Sequence, residues 1–292
     1  MRAYLQFIRP CSKHPVAFLP GWRTHTLILF CSIAMSSLDA SEYESGSFSF
    51  SLGMDYSSGD YGLAADTEML YLPATLEYSQ FPWRLAITIP YLRITGPGGV
   101  IGGNGGGIIV KDDTDRRSNR GGSGGETPTL RTQQGLADIV TSLSYALDPL
   151  WNLPYAVDLI GEAKLATADA EKELGSGSND YSLQLNMAAT QGRLTPFFTL
   201  GYRLMGDLPQ MELSNVSFAS LGLDYRLSHS LYSGISFDYR QAYSATAAEL
   251  REWVAYLNWE MDNSWSINGY GVAGFSNASP DAAVGIQLRY AR

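Results

Sequence analysis

Cysteine, histidine, basic residues and long apolar runs are what this chain has least of. Its two cysteines, Cys11 and Cys31, fall within the first 40 of 292 residues, and of three histidines only His229 lies beyond them. A chain without cysteine past residue 40 has no disulfide framework and no thiolate chemistry there. One imidazole and no thiol also starve a zinc site. No apolar run reaches the roughly 18 residues of a transmembrane helix, which excludes a helical bundle in a bilayer. Lys and Arg number 20 against 29 Asp and Glu, a net charge of −9. That balance excludes a nucleic-acid partner, because phosphate binding needs a basic patch. Charged residues make up only 17% of the chain and aromatics 12%, so most of it is not disordered. A β-rich globular protein or a membrane β-barrel remains.

The first 40 residues read as a secretory signal peptide. Arg2, Arg9, Lys13 and Arg23 precede the apolar stretch Leu27 to Met35, and small residues follow up to Ala40. This is the layout of an n-region, an h-region and a cleavage site, and the stretch is too short to span as a helix. Phe30 before Cys31 argues against a lipoprotein signal. With four basic residues and Asp39 removed, 16 basic and 28 acidic residues remain, a net charge of −12.

From Ser47 onward the hydrophobic period is two. Phe48, Phe50, Leu52, Met54 and Tyr56 alternate with Ser49, Ser51, Gly53 and Asp55. Such alternation makes a strand with one apolar and one polar face. The pattern recurs from Leu70, Trp83, Ile139, Tyr155, Tyr181, Phe198, Ala219, Leu231, Trp253, Trp265 and Val284. That predicts twelve strands, most of them about ten residues long, the length a tilted membrane strand needs. Short connections rich in turn formers (80–82, 148–154, 191–195, 228–230, 262–264) alternate with long ones (57–66, 95–134, 167–179, 206–215, 243–249, 276–282). The expected fold is all-β: an antiparallel up-and-down transmembrane β-barrel over residues 41–292, with short turns periplasmic and long loops extracellular.

A soluble sandwich or lipocalin-like barrel also alternates, but twelve apolar faces would overfill one soluble core. Aromatics gather in two belts, as at two membrane–water interfaces. Tyr78, Trp83, Trp151, Tyr155, Trp259 and Trp265 flank the short turns, and Tyr56, Tyr91, Tyr181, Tyr202 and Tyr243 mark the other rim.

The segment 95–134 stands apart, with twelve glycines between Gly96 and Gly125 and a charged run from Lys111 to Arg120. Gly103-Asn104-Gly105 lacks the strand–helix context of a phosphate loop. Asp112, Asp113 and Asp115 lack the glycine and distal glutamate of a calcium loop. The segment reads as a flexible extracellular loop.

The inward stripes hold the charges. Asp55, Glu77, Asp138, Asp158, Glu162, Asp180, Asp224, Asp238, Glu252 and Glu260 face the lumen with Arg84, Lys164, Arg203, Arg226, Arg240 and Arg289. Twelve strands enclose little more than the interior that side chains fill in an eight-stranded barrel. Opposite charges in that space are expected to pair across neighbouring strands, because an unpaired charge there is costly. They hold the register, line a polar conduit, or do both. An outer-membrane phospholipase would need a Ser/His pair near the outer leaflet, and His229 falls in a periplasmic turn. No enzyme, metal or cofactor is expected.

Four short motifs lie in the middle of the chain. Gly135-Leu136-Ala137-Asp138 enters the fourth strand and Lys164-Leu165-Ala166-Thr167 leaves the fifth. Leu174-Gly175-Ser176-Gly177-Ser178-Asn179-Asp180-Tyr181 opens the sixth, and Leu200-Gly201-Tyr202-Arg203 with Gly206-Asp207 closes the seventh. In these the chain resembles the outer-membrane transporter family of MetA-pathway phenol-degradation proteins. Ala137 stands where that family usually has Gly, and Ala166 and Ala168 stand where it has Pro and Gly. The resemblance implies a barrel that passes small aromatic or other hydrophobic compounds. The expectation is therefore a monomeric, porin-like channel in the outer membrane of a Gram-negative bacterium, with lipid, the barrel assembly machinery and a small solute as partners. The alternative is a non-transporting surface protein whose loops bind a partner.

The alternating loop lengths predict a topology that cells can report. A protease site at Gly121 should be cut on intact cells and one at Asn263 should not; the opposite pattern would invert the barrel.

Overall fold

The computed structural model describes residues 46–101, 108–109, 129–147, 155–207, 213–244 and 247–292. The expected signal at 1–40, Trp151 and the middle of the 95–134 loop lie outside them. Twelve antiparallel strands form the wall: β1 (Ser47–Gly59), β2 (Thr67–Gln80), β3 (Trp83–Gly96), β4 in two segments (Arg131–Leu136 and Ile139–Ala146), β5 (Ala156–Leu165) and β6 (Asp180–Ala188). They continue with β7 (Leu194–Leu204), β8 (Val216–Arg226), β9 (Leu231–Arg240), β10 (Leu250–Glu260), β11 (Trp265–Gly274) and β12 (Ala282–Ala291). Each strand pairs with its sequence neighbours, and β1 pairs with β12 from Ser49↔Ala291 to Ser58↔Ala282. Phe48 and Arg292 exchange both backbone hydrogen bonds, at 3.0 and 2.8 Å, at the end of that seam. The expected up-and-down barrel is closed.

The facing is inverted relative to a soluble protein. Leu221 is 63% exposed and Val284 61%, whereas Thr88 and Asp238 on inward positions are at most 1% exposed. A bilayer covers such an exterior, since lipid accepts apolar surface and demands paired backbone groups. Ring pairs near the short turns (Phe48–Tyr78, Trp83–Tyr145 and Trp265–Tyr290) have centroids 4.4 to 4.9 Å apart. At the long-loop end Phe237 and Trp253 stand 5.2 Å apart.

Turn chemistry explains the short connections. The Asp262 carboxylate accepts hydrogen bonds from the Ser264 and Trp265 amides, both 2.8 Å, an Asx turn that starts β11. Gly192 sits at φ +67° in the Gln191–Leu194 turn, a conformation that favours glycine.

Three findings depart from the sequence expectation. β3 runs to Gly96 and β4 begins at Arg131, so both ends of the 95–134 segment are strand rather than loop. β4 carries a bulge: Leu136 pairs with Tyr91 and Val140 with Thr88, so three residues on β4 oppose two on β3. Ala137 and Asp138 consequently both turn inward and are buried. Finally, Tyr243 is not a rim residue. It is 3% exposed, packed with Ile101, Leu213 and Val216, because the segment after β9 turns into the mouth.

The lipid-facing stripe is testable at Leu221, midway along β8. Leu221→Arg should cost about 2–4 kcal/mol, the midplane penalty for a barrel wall, measured by denaturant titration in vesicles. Leu221→Ile should leave the titration midpoint where it is. Two equal effects would mean that this face does not meet lipid.

Candidate functional site

The candidate site is the lumen, built from the inward position of every second residue. Its extracellular half carries a charge cluster assembled from three strands and a loop. The β4 bulge turns Asp138 inward, β5 delivers Lys164 near its end, and β6 opens with Asp180. Lys164 Nζ lies 3.2 Å from Asp138 Oδ2 and 3.0 Å from Asp180 Oδ2, and it donates a hydrogen bond to the Ser176 hydroxyl. All four residues are at most 9% exposed.

The second carboxylate oxygens of the cluster hold backbone. Asp138 Oδ1 accepts from the amides of Thr167 (3.1 Å) and Ala168 (3.0 Å), and Asp180 Oδ1 from Gly206 (2.9 Å). Asn179 Oδ1 accepts from the Ala166 amide at 2.8 Å. The four motifs that carry the family resemblance therefore meet in one place. They tie down the 166–179 loop.

That loop contains a three-residue 3-10 turn, Ala170–Lys172, capped by Asp169. The Asp169 carboxyl is held below its ordinary pKa chiefly by its hydrogen bond with Lys172, whose ammonium lies 3.0 Å away. Past the turn, Glu173 accepts from the Gly99 amide at 3.0 Å. Leu174 then points inward and is 1% exposed among Tyr61, Met69, Leu92, Ile94, Val100 and Ala137. A side chain on Gly135 would meet Leu174 Cδ1 at 2.9 Å, so this position of β4 has no room for one. The lumen is thus two-sided at this level. β2 and β3 present Met69, Leu92 and Ile94, while the facing wall presents charge.

The other inward charged residues lie at three levels. Near the cluster, Arg203 Nη2 is 3.4 Å from Glu162 Oε1. Arg240 lies 3.8 Å above the Tyr243 ring and close enough to Glu252 to interact with it, while Asp238 is buried two residues before it. Midway the lining is mostly neutral: Thr75 bonds Thr88 at 2.7 Å, Gln287 bonds Ser51 at 3.2 Å, and Asn268 bonds Asn258. Asp55 belongs to this buried middle, and Asp224 accepts from the Tyr256 hydroxyl.

Toward the short-turn end, Arg289 reaches Glu77 at 2.9 Å and Ser49 at 3.0 Å. Arg84 stands 4.0 Å from the same carboxylate, and Asp158 is buried in range of Arg84. Arg226 and Glu260 are half-buried at that rim. Glu77 with Arg84, and Asp138 and Asp180 with Lys164, pair across neighbouring strands, whereas Arg203–Glu162 and Arg289–Glu77 each reach over an intervening strand.

Four aromatic rings also point inward, each over a glycine of the adjoining strand. Phe197 opposes Gly222 and Phe218 opposes Gly201, and a Cβ added at either glycine would collide with the ring. Tyr256 lies over Gly234 and Tyr270 over Gly285. Ring and recess together fill lumen space that hydroxyl and amide side chains leave. Among the described residues no group of three or more His, Cys, Asp or Glu is placed to hold a metal ion.

No family model matches this chain, and no curated protein does. Solved structures do resemble it. A COG4313 outer-membrane channel from Pseudomonas putida F1 overlays with a TM-score of 0.57 at 14% identity, over 87% of this chain and 99% of that one. The overlay shows the fold. The KdgM porin (TM-score 0.46, 9% identity, 82% of this chain and 98% of that one) is more distant. So is the P. putida toluene transporter TodX (TM-score 0.40, 10% identity, 85% of this chain and 89% of that one).

The Lys164 cluster makes a quantitative prediction. Lys164→Met leaves Asp138 and Asp180 buried without their cation and should cost about 3–5 kcal/mol, seen as loss of the heat-resistant folded band. Adding Asp138→Asn and Asp180→Asn should recover most of that loss. A triple variant no better than the single one would show that the ion pairs are not what Lys164 contributes.

Proposed function

We propose that the chain is an outer-membrane channel of a Gram-negative bacterium that passes a small solute passively. The observation that carries this reading is a closed twelve-stranded wall, apolar outside and polar within. A wall with that facing is stable only when lipid covers it, and polar lining is wasted unless water or solute reaches it. The likeness in fold to a COG4313 outer-membrane channel supports the same role.

The solute class follows from the resemblance and from the lumen. The motifs around the Lys164 cluster resemble those of MetA-pathway barrels, and Met69, Leu92 and Ile94 give the lumen an apolar side. A small aromatic or otherwise hydrophobic compound fits both. The barrel assembly machinery is the partner such a fold requires. A monomer suffices, because the sheet closes on itself. The chain acts as a conduit and not as an enzyme.

Planar-bilayer recording tests the reading. Lumen carboxylates outnumber lumen cations, so a reconstituted channel should show small discrete steps and a reversal potential favouring K⁺ over Cl⁻ in a salt gradient. A membrane containing folded barrel that carries no current, and vesicles that admit no solute, would favour the surface-protein alternative.

A further inference from the structure

The lumen wall contradicts itself at one level. On β5, β7 and β9 the inward positions near the extracellular end carry the charged side chains Glu162, Lys164, Arg203 and Arg240. On β2 and β3, at the same end, they carry Met69, Leu92 and Ile94. Apolar surface facing water is unfavourable by about 25 cal/mol per Å², so this patch has to be covered. Tyr61 and Val100 cover part of it, and the rest is covered by Leu174, a single leucine in a glycine- and serine-rich loop.

Apart from Leu174 and Ala168, the loop is held there by hydrogen bonds and not by apolar packing. Its regular structure is one 3-10 turn, Ala168 packs on the edge of the same apolar cluster, and its remaining attachments are polar: Asp138 on the Thr167 and Ala168 amides, Lys164 on Ser176, and Glu173 on the Gly99 amide. Water can replace each of those bonds. Leu174 is the only side chain between Thr167 and Asn179 that joins the apolar cluster as a fully buried member.

We infer that the Met69–Leu92–Ile94 patch is a solute-binding site and that Leu174 is its built-in occupant. A small apolar molecule of single-ring size takes the place of the Leu174 side chain, and the 166–179 loop leaves the mouth when it does. A recess lined by Met, Leu and Ile is the kind of surface that stays dry and takes a benzene-sized guest. The loop is then a plug that the solute itself displaces, its bound and released populations set by competition for one patch. This rests on the channel reading for its purpose but not for its test.

Cysteine labelling reads the exchange directly, since Cys11 and Cys31 are the only native thiols and can be replaced by Ser. In membranes holding Leu174→Cys, a membrane-impermeant maleimide should react slowly without solute. Toluene, the probe, should speed labelling about tenfold by raising the open population, and glucose should not. Leu213→Cys, buried in the neighbouring apolar cluster, should respond to neither. If Leu174→Cys does not assemble, Ser176→Cys, at a buried position of the same loop, reports the same opening.

Labelling unchanged by toluene, or raised equally at Leu213→Cys, overturns the inference. Labelling needs no current. A chain that opens to toluene yet conducts nothing would remove the channel reading alone, and a conducting chain whose loop ignores toluene would remove this inference alone.

Discussion

The hydrogen-bonded seam between β1 and β12 is the constraint on which the remaining structure depends. Twelve strands joined by eleven pairings alone would leave two edges of unpaired amides and carbonyls in hydrocarbon, each such group costing several kcal/mol. Closing Ser49–Ser58 onto Ala282–Ala291 pairs those two edges with each other. Closure fixes the circumference, and the circumference fixes how much must fit inside. Every charged, hydroxyl and aromatic group of the lumen is placed within a volume the seam has already set.

Within that volume two kinds of filling coexist. Paired charges gather toward the ends of the barrel, around Lys164 above and Glu77 below, while the middle is mostly hydroxyl and amide with inward rings over glycine. Buried ion pairs contribute little net stability but are costly to break singly. Their value here is positional. Lys164 draws β5 and β6 and the inserted pair Ala137–Asp138 of β4 to one point, and the carboxylates so gathered hold the backbone of a loop that no strand pairing holds. The bulge matters for the same reason, since without the extra residue Asp138 would not share the inward side with Ala137.

The strands and their facing were legible because a period of two is written into every strand, and lipid on one side with a polar lumen on the other reinforces it. The inward list from Asp55 to Arg289 follows from counting alone. The loops have no such period. Tyr243 looked like a rim residue by its distance from the end of β9, and only the inward turn of the following segment puts it under Arg240. The bulge at Ala137–Asp138 left no mark beyond a strand that seemed to start late, at Ile139. The convergence of Asp138, Lys164 and Asp180 could not be read either: they are far apart in sequence and are joined only by strand register. Leu174, alone among glycines and serines, was the one available signal that the 166–179 loop goes inward.

The reciprocal pair on β7 and β8 bears on how such a wall is assembled without error. Alternation rejects a slip of one residue, because every side chain would change faces. It is blind to a slip of two, which keeps all faces correct. Phe197 would then oppose Ser220 or Asp224 instead of Gly222, and Phe218 would oppose Thr199 or Arg203 instead of Gly201. Neither ring would find a hollow, and both would collide at once. The two glycines act as a vernier, reading the wall at a spacing the hydrophobic code cannot resolve.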